Sequence, residues 1–156
     1  MSNYKLQIKQ NGFTLIELLV VISIIAILVG VSIFGLSGAR ESARDARRKS
    51  DLELIRSGLE LYKADCNDYP PSASVVLNGT ANLNGDGTPA TSCPVGNRYI
   101  SGIPADPVPS TRSYRYVSAG TSYMLCAALE NAPSPAMDVT GCGSCTMTCN
   151  YKITNP

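Results

Sequence analysis

Six cysteines and one isolated carboxylate are the residues of this chain with the most chemical potential. Cys142, Cys145 and Cys149 follow a C-x-x-C-x-x-x-C spacing that, with Cys126 as a fourth ligand, could bring thiolates onto zinc. With Cys66 and Cys93 the set is even in number, and all of it lies downstream of a long apolar run. That placement suits an oxidising compartment outside the cytoplasm, so disulfides are favoured over a metal, with the pairing left open. Glu17 is the second feature. It is the only ionisable residue in 13–36, and an ionised carboxylate inside hydrocarbon costs a few kcal/mol unless a cation meets it at the same depth.

Composition removes most other chemistry. The chain has no His, which excludes Ser/His/Asp and Cys/His nucleophile systems and imidazole metal ligands. No catalytic residue, cofactor or enzymatic activity is expected. Thirteen Lys and Arg against twelve Asp and Glu give a net charge of +1, which argues against a strongly basic nucleic-acid coat. The one basic concentration, Arg40, Arg44, Arg47, Arg48, Lys49 and Arg56, reads as a solvated helix face with Asp45, Asp51, Glu53 and Glu60 at pairing distance along the helix.

The elements that position these residues follow from periodicity. Residues 13–36 are apolar all round and long enough, at ~1.5 Å per residue, to cross a hydrocarbon layer of ~30 Å. Ala39, Ala43, Ala46, Leu52, Ile55, Leu59 and Tyr62 then continue an apolar spacing, and no Pro occurs before Pro70. One helix from Phe13 to about Ala64 is the simplest reading, membrane-spanning in its first half and amphipathic in its second. The run Cys66-Asn67-Asp68-Tyr69-Pro70-Pro71 ends it. All ten Pro and all six Cys lie at or beyond Cys66, so the remainder is a small head of short strands that depends on cross-links.

Within that head, Ser113–Val117 and Ser122–Leu129 around a turn at 118–121 read as a hairpin, with Tyr123, Leu125, Ala127 and Leu129 on one face. Met147, Cys149, Tyr151 and Ile153 alternate with polar residues as a further strand, buried on that side. Asn82, Asn84 and Asp86 imitate the start of a calcium loop, but Cys93 stands where the closing Glu is needed, which leaves an Asn/Gly turn. Counting positive charges alone, the basic cluster after the apolar run would hold the head in the cytoplasm, in conflict with its cysteines.

Gly12-Phe13-Thr14-Leu15-Ile16-Glu17-Leu18, after a short leader with Lys5 and Lys9 and before the apolar helix, closely resembles the class III signal of type IV prepilins and type II secretion pseudopilins. Asp45 to Leu52, Leu61-Tyr62-Lys63 and Asp68-Tyr69-Pro70 resemble the helix exit of the major pseudopilins, and Ile103-Pro104-Ala105-Asp106-Pro107 with Tyr114-Arg115-Tyr116 is similar to their loop and strand. The resemblance implies an α+β pilin fold: a long N-terminal α-helix, membrane-spanning in its first half, packed on a small antiparallel β-sheet head. Its parts would be a leader 1–12, a membrane and filament-core helix 13–36, an amphipathic helix 37–64 and a cysteine-rich head 65–156. Members bind calcium in the head, but through a ligand motif not recognisable here.

The same resemblance implies that a prepilin peptidase cuts between Gly12 and Phe13, that the new amino group of Phe13 is methylated, and that Glu17 meets that amine of a neighbouring subunit. The implied partners are further copies in a homopolymer filament, minor pilins or pseudopilins, an inner-membrane platform and an assembly ATPase, with membrane lipid around the helix before assembly. The product is either a type IV pilus or a secretion pseudopilus. Two other classes compete: a competence pilin that holds DNA through Arg47 and Arg48, and an anchored redox or metal protein using Cys142, Cys145 and Cys149.

Overall fold

The computed structural model describes residues 12–155; the leader calls at Lys5 and Lys9 lie outside the described residues. The architecture is α+β. A single helix, α1 (Leu15–Cys66), precedes seven short strands: β1 (Leu83–Asn84), β2 (Arg98–Ile100), β3 (Arg115–Ser118), β4 (Tyr123–Ala127), β5 (Ser144–Cys145), β6 (Met147–Thr148) and β7 (Tyr151–Thr154). They form antiparallel sheets β1-β2, β3-β4-β7 and β5-β6. The chain divides into two compact units between Ala39 and Arg40.

In the first unit the described apolar side chains, from Leu15 to Ile33 and at Leu36, are largely exposed. Among the described residues, α1 is the one helix long and apolar enough to cross a membrane. Two of its serine hydroxyls are satisfied within the helix: Ser23 donates to the Leu19 carbonyl at 2.7 Å and Ser32 to the Leu28 carbonyl at 2.8 Å. Neither therefore needs water or a partner inside hydrocarbon.

In the second unit the inward face of α1 runs Leu52, Ile55, Leu59, Tyr62 and Cys66, steps of three and four that place one stripe against the sheet. The same register continued backwards reaches Arg48 and Asp45, both buried. Ala43 and Ala46, expected on this face, are exposed instead. The helix stops where Asn67 adopts a left-handed φ of 68° and its N–H bonds the Lys63 carbonyl at 2.9 Å, a single-bond left-handed cap that Pro70 and Pro71 make final.

The expected hairpin is β3-β4, in the register Tyr116↔Leu125 and Ser118↔Tyr123. Tyr123, Leu125, Ala127 and Leu129 are buried as expected, but so is Cys126, because β4 is central: its second face is covered by a cluster of Cys126, Ala128, Cys142, Cys145 and Cys149. The strand expected over 147–154 is two strands in different sheets, and Met147 is exposed rather than buried. Asn150 makes the break. Its backbone N–H bonds the Ala127 carbonyl, and its amide both accepts from Leu129 N–H at 2.7 Å and donates to Leu129 carbonyl at 2.9 Å.

The Asn-rich segment is part turn and part strand, since Leu83–Asn84 pairs with Arg98–Ile100. Asn82 accepts from Gly102 N–H, and Asp86 from Thr88 N–H. This sheet meets α1 at Gly58, where a methyl group would overlap the buried Ile100 side chain. Alanine in a helix interior normally stabilises by about 1 kcal/mol over glycine. Gly58→Ala is expected to do the reverse and lower the urea midpoint of the detergent-solubilised protein, because overpacking against Ile100 outweighs the propensity gain.

Candidate functional site

Two constellations carry the functional geometry, one in each unit. The first is the start of α1. Gly12 and Phe13 precede the helix and are exposed, with no atom of the described residues near the position a Gly12 side chain would take. Thr14 caps the helix: its hydroxyl accepts Glu17 N–H at 3.3 Å, while Glu17 Oε2 accepts Thr14 N–H at 2.8 Å and the Thr14 hydroxyl at 2.7 Å. This is a reciprocal capping box. Its T-x-x-E signature stands in the sequence, and the part of Thr14 is the element that reading Glu17 alone does not find. Both side-chain bonds end on Oε2.

The second constellation is built on Arg48, whose side chain is 0% exposed. Its Nε and Nη2 form a fork on Asp106 Oδ2 and Oδ1 at 2.8 and 3.1 Å. Its Nη1 reaches Asp45 Oδ1 and Glu130 Oε1, both at 2.8 Å. Arg44 closes the set by pairing with both oxygens of Glu130. Asp45 in turn accepts Glu130 N–H and Asn131 N–H at 2.8 Å, and Asp106 accepts Val108 N–H. One helix turn is thereby bolted to the 103–108 and 129–131 loops. Burial pushes the Asp45 carboxyl up, but the Asn131, Glu130 and Arg48 donors outweigh it and leave it lowered. The Arg44 hydrogen bonds hold Glu130 down at about 2.

The basic cluster is therefore not a solvated face throughout. Arg48 is wholly enclosed and Arg44 is committed to Glu130, while Arg47 is exposed with only a 3.9 Å contact to Asp51. A DNA surface that includes Arg48 is overturned, since its guanidinium has no path to a phosphate. Above this level the helix carboxylates take up tyrosine hydroxyls: Tyr114 donates to Asp51 at 2.8 Å, Tyr69 and Tyr123 to Glu60, and Tyr99 to Asp65.

The six cysteines pair as Cys66–Cys93, Cys126–Cys142 and Cys145–Cys149. The alternative metal set of Cys126, Cys142, Cys145 and Cys149 thus has no thiolate left to offer. Among the described residues one further cluster, Cys66, Asp86 and Cys93, has metal-ligand types together. Two of its three members are joined in a disulfide, so it does not fit calcium or any other ion.

The family model described as the prokaryotic N-terminal methylation motif matches residues 8–33. The type II secretion system core protein G of Escherichia coli K12 is 35% identical over 108 residues, 64% of this chain and 67% of that protein. The protein of the same name from Klebsiella pneumoniae is 33% identical over 112 residues, 72% of this chain and 77% of its own length. The chain belongs to the type II secretion system core protein G family. That of Vibrio cholerae is 31% identical over 112 residues, 72% of this chain and 73% of that protein. No solved structure matches the chain. For this core protein G relative, the choice between a surface pilus and a secretion filament, open on the sequence, falls to the secretion family.

The buried network generates two expectations. Arg48→Leu strands three carboxylates and should cost ~3–5 kcal/mol of unfolding free energy, measured by chemical denaturation in detergent. Glu130 is held at about 2 when folded against an ordinary 4.5. Folding thus favours its charged form, so its contribution is complete above pH 4.5 and is lost as pH falls towards 2. Melting temperature should drop across that window, and Glu130→Gln should flatten the drop.

Proposed function

We propose that this chain is a structural, non-enzymatic subunit of a type II secretion pseudopilus: a homopolymer grown from the inner membrane. The observation that carries the reading is the helix start, an unobstructed Gly12-Phe13 pair leading into a Thr14–Glu17 capping box on an uncovered apolar helix, in a chain of the core protein G family. A prepilin peptidase cuts after Gly12, where the absent side chain leaves the bond accessible. Methylation then falls on the amino group of Phe13. While unassembled, the chain spans the inner membrane once, with its disulfide-bonded head outside the cytoplasm.

Assembly exchanges lipid contacts for contacts between helices. Glu17 supplies its attraction, because the charged terminal amine of a neighbour's Phe13 meets it in a low dielectric where an ion pair is strong. The platform, the assembly ATPase and minor pseudopilins act on this subunit. DNA capture keeps only Arg47 of its two arginines and is not favoured.

The test is the intact mass of the protein taken from membranes and from sheared filaments, before and after reduction. A chain that starts at methylated Phe13 and gains six hydrogen atoms on reduction is expected; a chain that starts at Met1 with free thiols refutes the reading. Gly12→Leu should remain uncut. Glu17→Ala should insert into the membrane yet yield few filaments, and wild-type filament yield from it would remove the proposed ion pair.

A further inference from the structure

The face of the β3-β4-β7 sheet turned away from α1 carries an uncharged, hydroxyl-rich hairpin. From Val139 to Tyr151 the chain has no charged residue, and the β5-β6 hairpin within that stretch exposes Ser144, Thr146, Met147 and Thr148. With Gly143 these residues line an open cavity of about 420 Å³. Ser144 and Thr148 stand opposite each other across the two strands, so their hydroxyls share one face. Both ends of the hairpin are fixed covalently: Cys145 is bonded to Cys149, and Cys142 to Cys126 of β4.

Two arginines border this hairpin at the start of β3, and neither has a counter-charge among the described residues. Ser113 ties their segment down: its N–H bonds the Cys145 carbonyl and its hydroxyl meets that of Thr146, both at 2.9 Å. Two residues on, the exposed Arg115 guanidinium lies across Gly143, where a methyl group would stand 3.1 Å from Nε and 3.5 Å from Nη2. Gly143 also has a left-handed φ of 71°, so glycine serves both the turn and the close approach. Arg112 immediately precedes Ser113, and its Nε is enclosed without an acceptor. A buried N–H left unpaired is destabilising, so little holds that side chain against an oxygen offered beside the hairpin.

We propose that Arg115, Arg112 and the hydroxyls of the β5-β6 hairpin form a binding site for a phosphate group. A guanidinium fork takes two oxygens of an anion. That uses up a carboxylate, whereas a tetrahedral phosphate keeps further oxygens for hydroxyl donors such as Ser144 and Thr148. The uncharged hairpin sets no carboxylate of its own against the anion, and the two disulfides fix the donors before it arrives, which lowers the ordering cost of binding. The cavity is roomy enough for a phosphate monoester as well as for the free ion. This site lies apart from the start of α1 and does not depend on the filament reading.

The test is the thermal midpoint of the full chain in detergent, titrated with inorganic phosphate, glycerol 3-phosphate or acetate at constant ionic strength. Both phosphates should raise the midpoint saturably, and acetate should not. Arg115→Gln should lose the rise while its midpoint without phosphate stays unchanged. Arg115→Lys should need several-fold more phosphate, because an ammonium offers no fork. Arg47→Gln, which removes an exposed arginine of α1, should respond as the wild type does. Exclusion of phosphate from protein surfaces in general also raises midpoints, but without saturation and equally in Arg115→Gln. An undiminished rise in Arg115→Gln, an equal rise with acetate, or no rise at all overturns the site. Half-saturation at a lower concentration of glycerol 3-phosphate than of inorganic phosphate assigns the site to an esterified phosphate, and the reverse order assigns it to the free ion.

Discussion

A guanidinium removed from water is the constraint on which the head is organised. Arg48 sits on the inward stripe of α1, where the turns above it present Leu52, Ile55 and Leu59. Its burial is tolerable only because three carboxylates from three segments converge on it. Two of them come from loops without regular structure, at Asp106 and Glu130, and this charge ties both loops to the helix, with Arg44 and Asp45 adding further bonds to the 130–131 segment. A buried ion pair contributes little net stability compared with an apolar substitute, but it specifies one register where greasy contacts would allow several. The same loops flank β3 and follow β4, so the position of the central sheet on the helix depends on it.

Along the inward stripe the attachment changes character in order. It is ionic at Asp45 and Arg48, aliphatic from Leu52 to Leu59, aromatic around Tyr62 with Tyr99 at 5.2 Å between ring centroids, and covalent at Cys66 through its bond to Cys93. Tyrosine hydroxyls bridge from the head to Asp51, Glu60 and Asp65 beside that stripe, which satisfies carboxylates that would otherwise be desolvated without partners. A head poor in large aliphatics is thereby held by many modest contacts of different kinds, each with its own directional demand.

This explains what could be read in advance. The long helix, its end at Cys66-Asn67 and the β3-β4 hairpin follow from periodicity and turn residues, both local properties. The register of Leu52, Ile55, Leu59 and Tyr62 was legible too, and extending it by two more steps reaches Arg48 and Asp45. Alanine at 43 and 46 drew the expectation elsewhere because an apolar residue at helical spacing usually outranks a charged one for burial. What justifies the exception is Asp106 and Glu130, 58 and 82 residues away from Arg48 along the chain, and no local signal carries that. Cysteine pairing and the split between β6 and β7 are non-local in the same way. Asn150 looks like any polar residue of an alternating strand until its side chain is seen spanning both backbone groups of Leu129.

In the assembly proposed above, Glu17 serves two states with one carboxylate. Alone in a bilayer, the chain has to hold this charge near hydrocarbon with no neighbour present, and the cap formed with Thr14 supplies two donors from within the same turn. That lowers the cost of waiting without consuming the whole group, because both donors occupy Oε2. Oε1 can then face a cation brought by another subunit. A carboxylate satisfied only by a neighbour would make the unassembled subunit expensive to keep in the membrane, and one satisfied fully by its own helix would have no reason to seek a partner. The T-x-x-E spacing lies between these extremes, which is why, in the assembly proposed above, Thr14 acts together with Glu17.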